Sequence, residues 1–261
     1  MNQAATQLQP RRLANADIAS ALRAGRSTFS ALRRPSVKYA AVFALLGLAL
    51  LTALGLLGVS PLALPLAGGF MLVGPVLLTG YFELARRHAL GQPARLSDAL
   101  GAFRRAPRGL WLLALFCAFL FLIWITDAGI LYSFTVGGEP LGYWLPWQPE
   151  QRADVLRFAL WGSLMGSALA YIIFAVSAFS VPLLYERRAG PVEAVHASVR
   201  IVVGNFRVCL LWGLLLSASI LLSILFMPLL LWTLPVMAYA SFTLYRSALP
   251  LPLAAAERSV G

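Results

Sequence analysis

Six stretches of this chain are long enough to cross a bilayer and contain no Lys, Arg, Asp, Glu or His: Tyr39 to Gly58, Leu62 to Tyr81, Gly109 to Thr126, Phe158 to Leu184, Val208 to Phe226 and Pro228 to Leu244. A helix needs about 20 apolar residues to cover about 30 Å of hydrocarbon, and each run falls near that length. The third can extend to Ile130. The first two runs are separated only by Val59-Ser60-Pro61 and the last two only around Met227-Pro228. The last two runs together, Val208 to Leu244, cover 37 residues and exceed one crossing, so the spacing predicts a tight hairpin there.

Composition agrees with this reading and excludes others. Hydrophobic residues make up 60% of the chain and charged residues 12%, while the net charge is +11. A soluble domain carries about twice that charged fraction, and a disordered chain lacks the apolarity. A nucleic-acid partner would explain the positive charge but not the uncharged runs.

The distribution of the 21 basic residues predicts orientation. Nineteen lie in the leader, between spans two and three, between spans four and five, and in the tail; only Arg152 and Arg157 lie between spans three and four. The positive-inside rule then places both termini in the cytoplasm. The expected organisation is a basic cytoplasmic leader over 1–38, a six-helix transmembrane domain over 39–246 and a short cytoplasmic tail over 247–261. The first apolar run begins later than the core of a cleaved secretory signal, so it is expected to stay in the membrane. Cys117 and Cys209 sit in or beside apolar runs and read as small buried residues rather than a disulfide framework.

The chain also resembles itself. The second span ends PVLLTGYFELAR and the sixth PVMAYASFTLYR; at an offset of 160, Pro75, Val76, Phe82, Leu84 and Arg86 meet Pro235, Val236, Phe242, Leu244 and Arg246. The fourth ends VPLLYERR, with Pro182, Tyr185 and Arg187 in a similar order. Ahead of the odd-numbered spans lie Asp17 to Arg34, Ser97 to Arg105 and Glu193 to Arg200, each with an acidic start and a basic end, which suits a short helix. Turn signals follow at Arg34-Pro35, Ala106-Pro107 and Gly204-Asn205. The predicted fold is therefore an all-α six-transmembrane-helix bundle of three repeated hairpins, each preceded by a short amphipathic helix on the cytoplasmic face with its apolar side in the headgroups.

No residue pattern points to catalysis. His88 and His196 lie outside the spans, away from the cysteines, so they make poor metal or haem ligands. No intramembrane acid marks a proton pathway; Asp127 reads as the end of span three. No cofactor is expected and no catalytic residue is assigned. The candidate kink and cavity positions are Gly74, Pro75, Pro182, Pro235 and Tyr239, since broken helices at membrane depth can line a ligand cavity. The candidate headgroup contacts are Arg86, Arg87, Arg104, Arg105, Arg187, Arg188 and Arg246, each worth about 1 kcal/mol near an anionic surface. A small-residue stripe, Gly162-x-x-x-Gly166-x-x-x-Ala170, permits close packing within the bundle or between protomers. The connection over 127–157 carries Tyr132, Phe134, Tyr143, Trp144 and Trp147, an interfacial belt or a docking surface for a periplasmic partner.

The segments SVPLLYERRAGPVEAVHASVR, PLLLWTLPVMAYASFTLYR and GPVLLTGYFELARRHALGQPARLSDALGAFRR resemble a family of bacterial six-span integral membrane proteins grouped as a domain of unknown function. The likeness covers about residues 35 to 250. Where that family commonly shows a His and a Trp before the closing Tyr-Arg, this chain has Tyr239 and Phe242. The resemblance implies six helices in a bacterial inner membrane and supplies no reaction. The expected function is non-enzymatic: a scaffold, assembly or lipid-organising protein whose partners are anionic lipids, with another membrane protein or a second copy as a further candidate partner and no nucleic acid. The alternative is a carrier for an uncharged or lipid-like solute, with a polar cavity lined by Thr79, Ser177, Ser180, Tyr239 and Ser241.

Overall fold

A computed structural model describes residues 10–63, 65–66, 77–137 and 148–250. The described residues form ten α-helices and two 3-10 turns, with no strand: α1 (Asn15–Ala31), α2 (Arg33–Leu56), α3 (Thr79–Ala89), α4 (Leu96–Arg104), α5 (Arg108–Thr135), α6 (Pro149–Ser177), α7 (Ser180–Tyr185), α8 (Pro191–Gly204), α9 (Phe206–Leu225) and α10 (Leu230–Ala248), with turns at Ser60–Leu62 and Met227–Leu229. Among the described residues, five segments are long and apolar enough to cross a membrane: Arg33–Leu56, Arg108–Thr135, Pro149–Tyr185, Phe206–Leu225 and Met227–Ala248. Most of the expected second span, including Gly74 and Pro75, lies outside the described residues.

The helices α1, α4 and α8 start with one device. The carboxylates of Asp17, Asp98 and Glu193 accept the backbone N–H three residues earlier, from Ala14 at 2.8 Å, Arg95 at 2.8 Å and Gly190 at 3.2 Å. Each satisfies an orphan donor of the first turn and places negative charge at the positive end of the helix. The next residue (Ile18, Ala99, Ala194) and the alanine four after the acid (Ala21, Ala102, Ala197) are buried. These faces pack on protein helices instead of resting in headgroups as expected. Helix α1 lies along α10, α4 on α3, and α8 on α6 and α7. An apolar stripe with small residues gains more from close helix contact than from a fluid interface.

Boundaries differ from expectation in instructive ways. The first break falls at Leu32, not at Arg34-Pro35. Pro35 sits in the first turn of α2, where its missing N–H costs nothing. Helix α5 runs eight residues past Asp127, so that residue does not end it. Helix α6 begins at Pro149, nine residues ahead of the apolar run, with Glu150 in its first turn. Most of the expected 127–157 loop is therefore helical, and Tyr132 packs edge-on against Phe158 across the pair. Tyr143, Trp144 and Trp147 lie outside the described residues. The fourth span is interrupted at Ala178-Phe179, where Ser198 of α8 stitches the gap: its Oγ donates to the Ala175 carbonyl at 2.7 Å and accepts from the Phe179 N–H at 3.1 Å.

The final hairpin forms as expected, closed by the 3-10 turn at Met227–Leu229 and a 2.8 Å hydrogen bond between the hydroxyls of Ser223 and Thr233. Within the small-residue stripe, Gly162 is buried and Gly166 faces the Trp124 ring of α5, so these glycines serve packing inside the chain. Trp124 Nε1 in turn donates to the Pro65 carbonyl at 3.1 Å, tying the segment that follows α2 to α5. Cys117 and Cys209 are buried free thiols.

Candidate functional site

Three helix ends converge at the arginine-rich end of the bundle. Phe82 of α3, Tyr185 of α7 and Phe242 of α10 meet as a triangle of rings, with centroids 4.7 Å (Phe82–Phe242), 5.8 Å (Phe82–Tyr185) and 6.4 Å (Tyr185–Phe242) apart. One pair is stacked and two are edge-on, geometries favoured by the ring quadrupole.

Immediately beyond this floor lies a charged junction. Glu83 is only 5% exposed, and both its oxygens are taken. Oε1 accepts from Arg86 Nη2 at 2.8 Å and Arg87 Nε at 3.1 Å; Oε2 accepts from Arg86 Nε at 2.9 Å and the Tyr185 hydroxyl at 2.6 Å. Burial alone would raise its pKa, but the hydrogen bonds from Arg86, Tyr185 and Arg87, with the charge of Arg86, outweigh it and hold the carboxyl at about 2. The same pairing raises the Arg86 pKa. Arg87 reaches on to Asp98 of α4 at 3.1 Å.

A second carboxylate repeats the arrangement one junction further on. Glu186 accepts from the Tyr245 hydroxyl at 2.7 Å and from Arg246 Nη2 at 2.9 Å. The Arg246 guanidinium also lies 4.6 Å from the Phe242 ring centroid, a cation–π distance. Arg188 donates to the Tyr245 hydroxyl at 2.8 Å and to the carbonyls of Leu249 and Pro250 at 2.9 and 3.1 Å. Arg188 thus turns inward and caps the carboxyl end of α10.

The seven arginines singled out by sequence therefore divide. Arg86, Arg87 and Arg246 are anchored by ion pairs, and Arg188 by a tyrosine, two carbonyls and a longer ion pair with Glu186 at 3.7 Å. Arg105 comes no nearer than 3.9 Å to Glu83, and Arg104 and Arg187 are exposed. Arg187 is the one non-glycine residue with positive φ (55°) among the described residues. Its N–H and that of Arg188 close the end of α7 on the carbonyls of Leu184 and Leu183, which sends the two side chains apart.

Of the kink and cavity candidates, Pro182, Pro235 and Tyr239 lie within the described residues. Pro182 lies in the first turn of α7 and lines a largely apolar cleft of about 110 Å³ with Phe82, Trp212 and Leu244. Pro235 is buried inside α10, and the Tyr239 hydroxyl is spent 2.6 Å from Ser36 Oγ. Ser177 and Ser241 border the apolar cleft, but Ser177 Oγ donates to the Ile173 carbonyl and Ser180 Oγ to the Val176 carbonyl of their own helix segment.

Sequence reading missed Glu83 and Glu186, because both lie just outside apolar runs and look like solvated end charges. The available signal was spacing: Glu83, Arg86 and Arg87 stand at i, i+3 and i+4 on one helix face. Among the described residues, no three His, Cys, Asp or Glu side chains group as a metal site.

Residues 63–186 match the family model described as predicted integral membrane protein (DUF2189), a family of unknown function. No curated protein and no solved structure matches the chain.

Proposed function

We propose that this multi-pass integral membrane protein is a non-enzymatic scaffold that holds anionic lipid at its arginine-rich end. The observation that carries this reading is the contrast between interior and end. In the interior, Ser36 bonds with Tyr239, Ser223 with Thr233, and Ser177 with its own helix, while the Tyr81 hydroxyl has no partner among the described residues. The arginine-rich end keeps Arg104, Arg105 and Arg187 exposed beside a junction whose carboxylates already hold other partners. The carrier reading needs Thr79, Ser177, Ser180, Tyr239 and Ser241 around one polar space; the described hydroxyl bonds speak against it. An apolar groove between α2 and the last hairpin, lined by Phe43, Leu50, Ile220 and Met227, favours contact with lipid or a membrane protein.

The finer architecture belongs to the same proposal: six spans in three hairpin units, both termini cytoplasmic, in a bacterial inner membrane. The shared cap at Asp17, Asp98 and Glu193, the buried alanine four residues on, and the meeting of Phe82, Tyr185 and Phe242 support three equivalent units. In this scheme each short helix docks on the return helix of the preceding unit. The α1–α10 contact joins first to last and closes a ring. Ligand sites at the meeting of repeats are a recurrent feature of membrane proteins built this way.

Affinity purification in mild detergent, with identification of bound lipids and proteins, tests the function. Enrichment of anionic lipid over the bulk membrane, alone or with a membrane-protein partner, is the expected result. Recovery of the chain with neither, or solute uptake by liposomes carrying it, overturns the scaffold reading.

A further inference from the structure

The charged junction borders an open cleft of about 490 Å³, lined by Glu83, Arg86, Arg105, Tyr185, Glu186, Arg187 and Arg188 together with the Ala102, Ala106 and Pro107 corner between α4 and α5. Four arginines there face two carboxylates, both already engaged. Glu83 accepts four hydrogen bonds, and Glu186 accepts three from Tyr245 and Arg246 with Arg188 3.7 Å away. Arg105, whose ion pair with Glu83 is long at 3.9 Å, and Arg187, with no ion pair among the described residues, leave the cleft with positive charge in excess.

From this geometry we infer a binding site for one phosphate ester, with Arg105 and Arg187 as its principal contacts and Arg86 as a fixed third. Glu83 grips Arg86 along its Nε and Nη2 edge, which orients the guanidinium before any ligand arrives. The positive φ of Arg187 is costly for a side-chain-bearing residue, and it separates Arg187 from the inward-turned Arg188. Planar guanidinium forks match the oxygens of a phosphate, and two or three of them around one anion form charge-assisted hydrogen bonds. Tyr185, donating to Glu83, closes the floor of the cleft against the aromatic triangle. The shared chemistry is a phosphate ester anion, from a phospholipid headgroup or from a soluble phosphate.

The site deepens the scaffold reading, since it names the group that the basic end would hold. The full-length protein in detergent is titrated, at fixed ionic strength, with inorganic phosphate and separately with mixed micelles of phosphatidylglycerol, and its thermal unfolding midpoint is followed. Ligand that binds the folded state raises that midpoint. A rise with both, with phosphatidylglycerol alone, or with phosphate alone supports the site and identifies its source as open to either, a lipid headgroup, or a soluble phosphate. The Arg105→Gln/Arg187→Asn variant, in which asparagine tolerates the positive φ, is expected to lose the rise and weaken affinity about tenfold. Single Arg105→Gln is expected to lose part of it, and Arg23→Gln on α1 none. No rise with either ligand, or an undiminished rise in the double variant, overturns the site. A double variant that still co-purifies with anionic lipid would refute this cleft and leave the scaffold reading standing.

Discussion

The hydroxyl of Tyr185 donates a 2.6 Å hydrogen bond to Oε2 of Glu83, a residue 102 positions earlier in the chain. That single contact joins the arginine-bearing ends of α3 and α7. It also explains why three arginines can crowd one buried carboxylate: the tyrosine fills the remaining acceptor site and seals it against the rings of Phe82 and Phe242.

Removing the carboxylate should cost more than removing the phenol. Glu83→Ala leaves the exposed Arg86 without its partner and Arg87 with Asp98 alone, and the loss of four charge-assisted hydrogen bonds is expected to destabilise the protein by about 2–3 kcal/mol. Tyr185→Phe loses one hydrogen bond to a charged acceptor, about 1.5 kcal/mol. A double-mutant cycle followed by denaturant or thermal unfolding in detergent should show strong coupling between the two positions; additive effects would contradict the contact.

The same junction predicts an acid sensitivity. The folded-state pKa of Glu83 is about 2 against an ordinary 4.5, so the unfolded chain binds a proton more readily than the folded one. Its contribution to stability is complete above about pH 4.5 and is lost as pH falls from there toward about 2. Unfolding midpoints measured across that window should fall more steeply for the native chain than for Glu83→Gln.

Helix α1 is pinned by the absence of a side chain. A Cβ on Gly25 would stand 2.6 Å from the Val236 carbonyl oxygen and 2.9 Å from the Ala240 nitrogen. Both are backbone atoms that cannot rotate away. Gly25→Ala is expected to cost about 1–3 kcal/mol by overpacking, and Gly25→Leu to release α1 from α10. Limited proteolysis of the leader reads the release directly.

Tyr81 offers a change in the opposite direction. Its ring is 1% exposed and packs edge-on against Tyr39 and Tyr239, and its hydroxyl has no hydrogen-bond partner among the described residues. Tyr81→Phe removes an unsatisfied buried group and should raise stability by about 1 kcal/mol; a loss of that size would mean the hydroxyl has a partner.

These contacts mark the boundary of what sequence reveals. Apolar runs and acidic helix starts are local signals, and α1, α4, α8, α9 and α10 lie close to where periodicity and caps put them. The aromatic residues shared by the three PVLLTGYF-like endings, Phe82, Tyr185 and Phe242, are the ones that meet in space. What local signals miss is partnership. Nothing near Glu83 in the chain announces Tyr185, and nothing near Arg188 announces the carbonyls of Leu249 and Pro250. Helix ends were also misjudged wherever hydrophobicity stopped before hydrogen bonding did, as at Asp127 and Pro149, because a helix leaving hydrocarbon loses its apolar pattern but keeps its backbone ladder.

In the proposed orientation the arginine-rich junction faces the cytoplasm, where anionic headgroups and soluble phosphates are within reach. The two native cysteines are buried, so an introduced thiol reports alone. Gln92→Cys sits at the exposed turn after α3, and Phe134→Cys, at a side chain 86% exposed, lies near the far end of α5. Labelling intact cells with a membrane-impermeant maleimide should modify Phe134→Cys, and should modify Gln92→Cys only after permeabilisation. Labelling of Gln92→Cys in intact cells, with Phe134→Cys protected, would contradict the account.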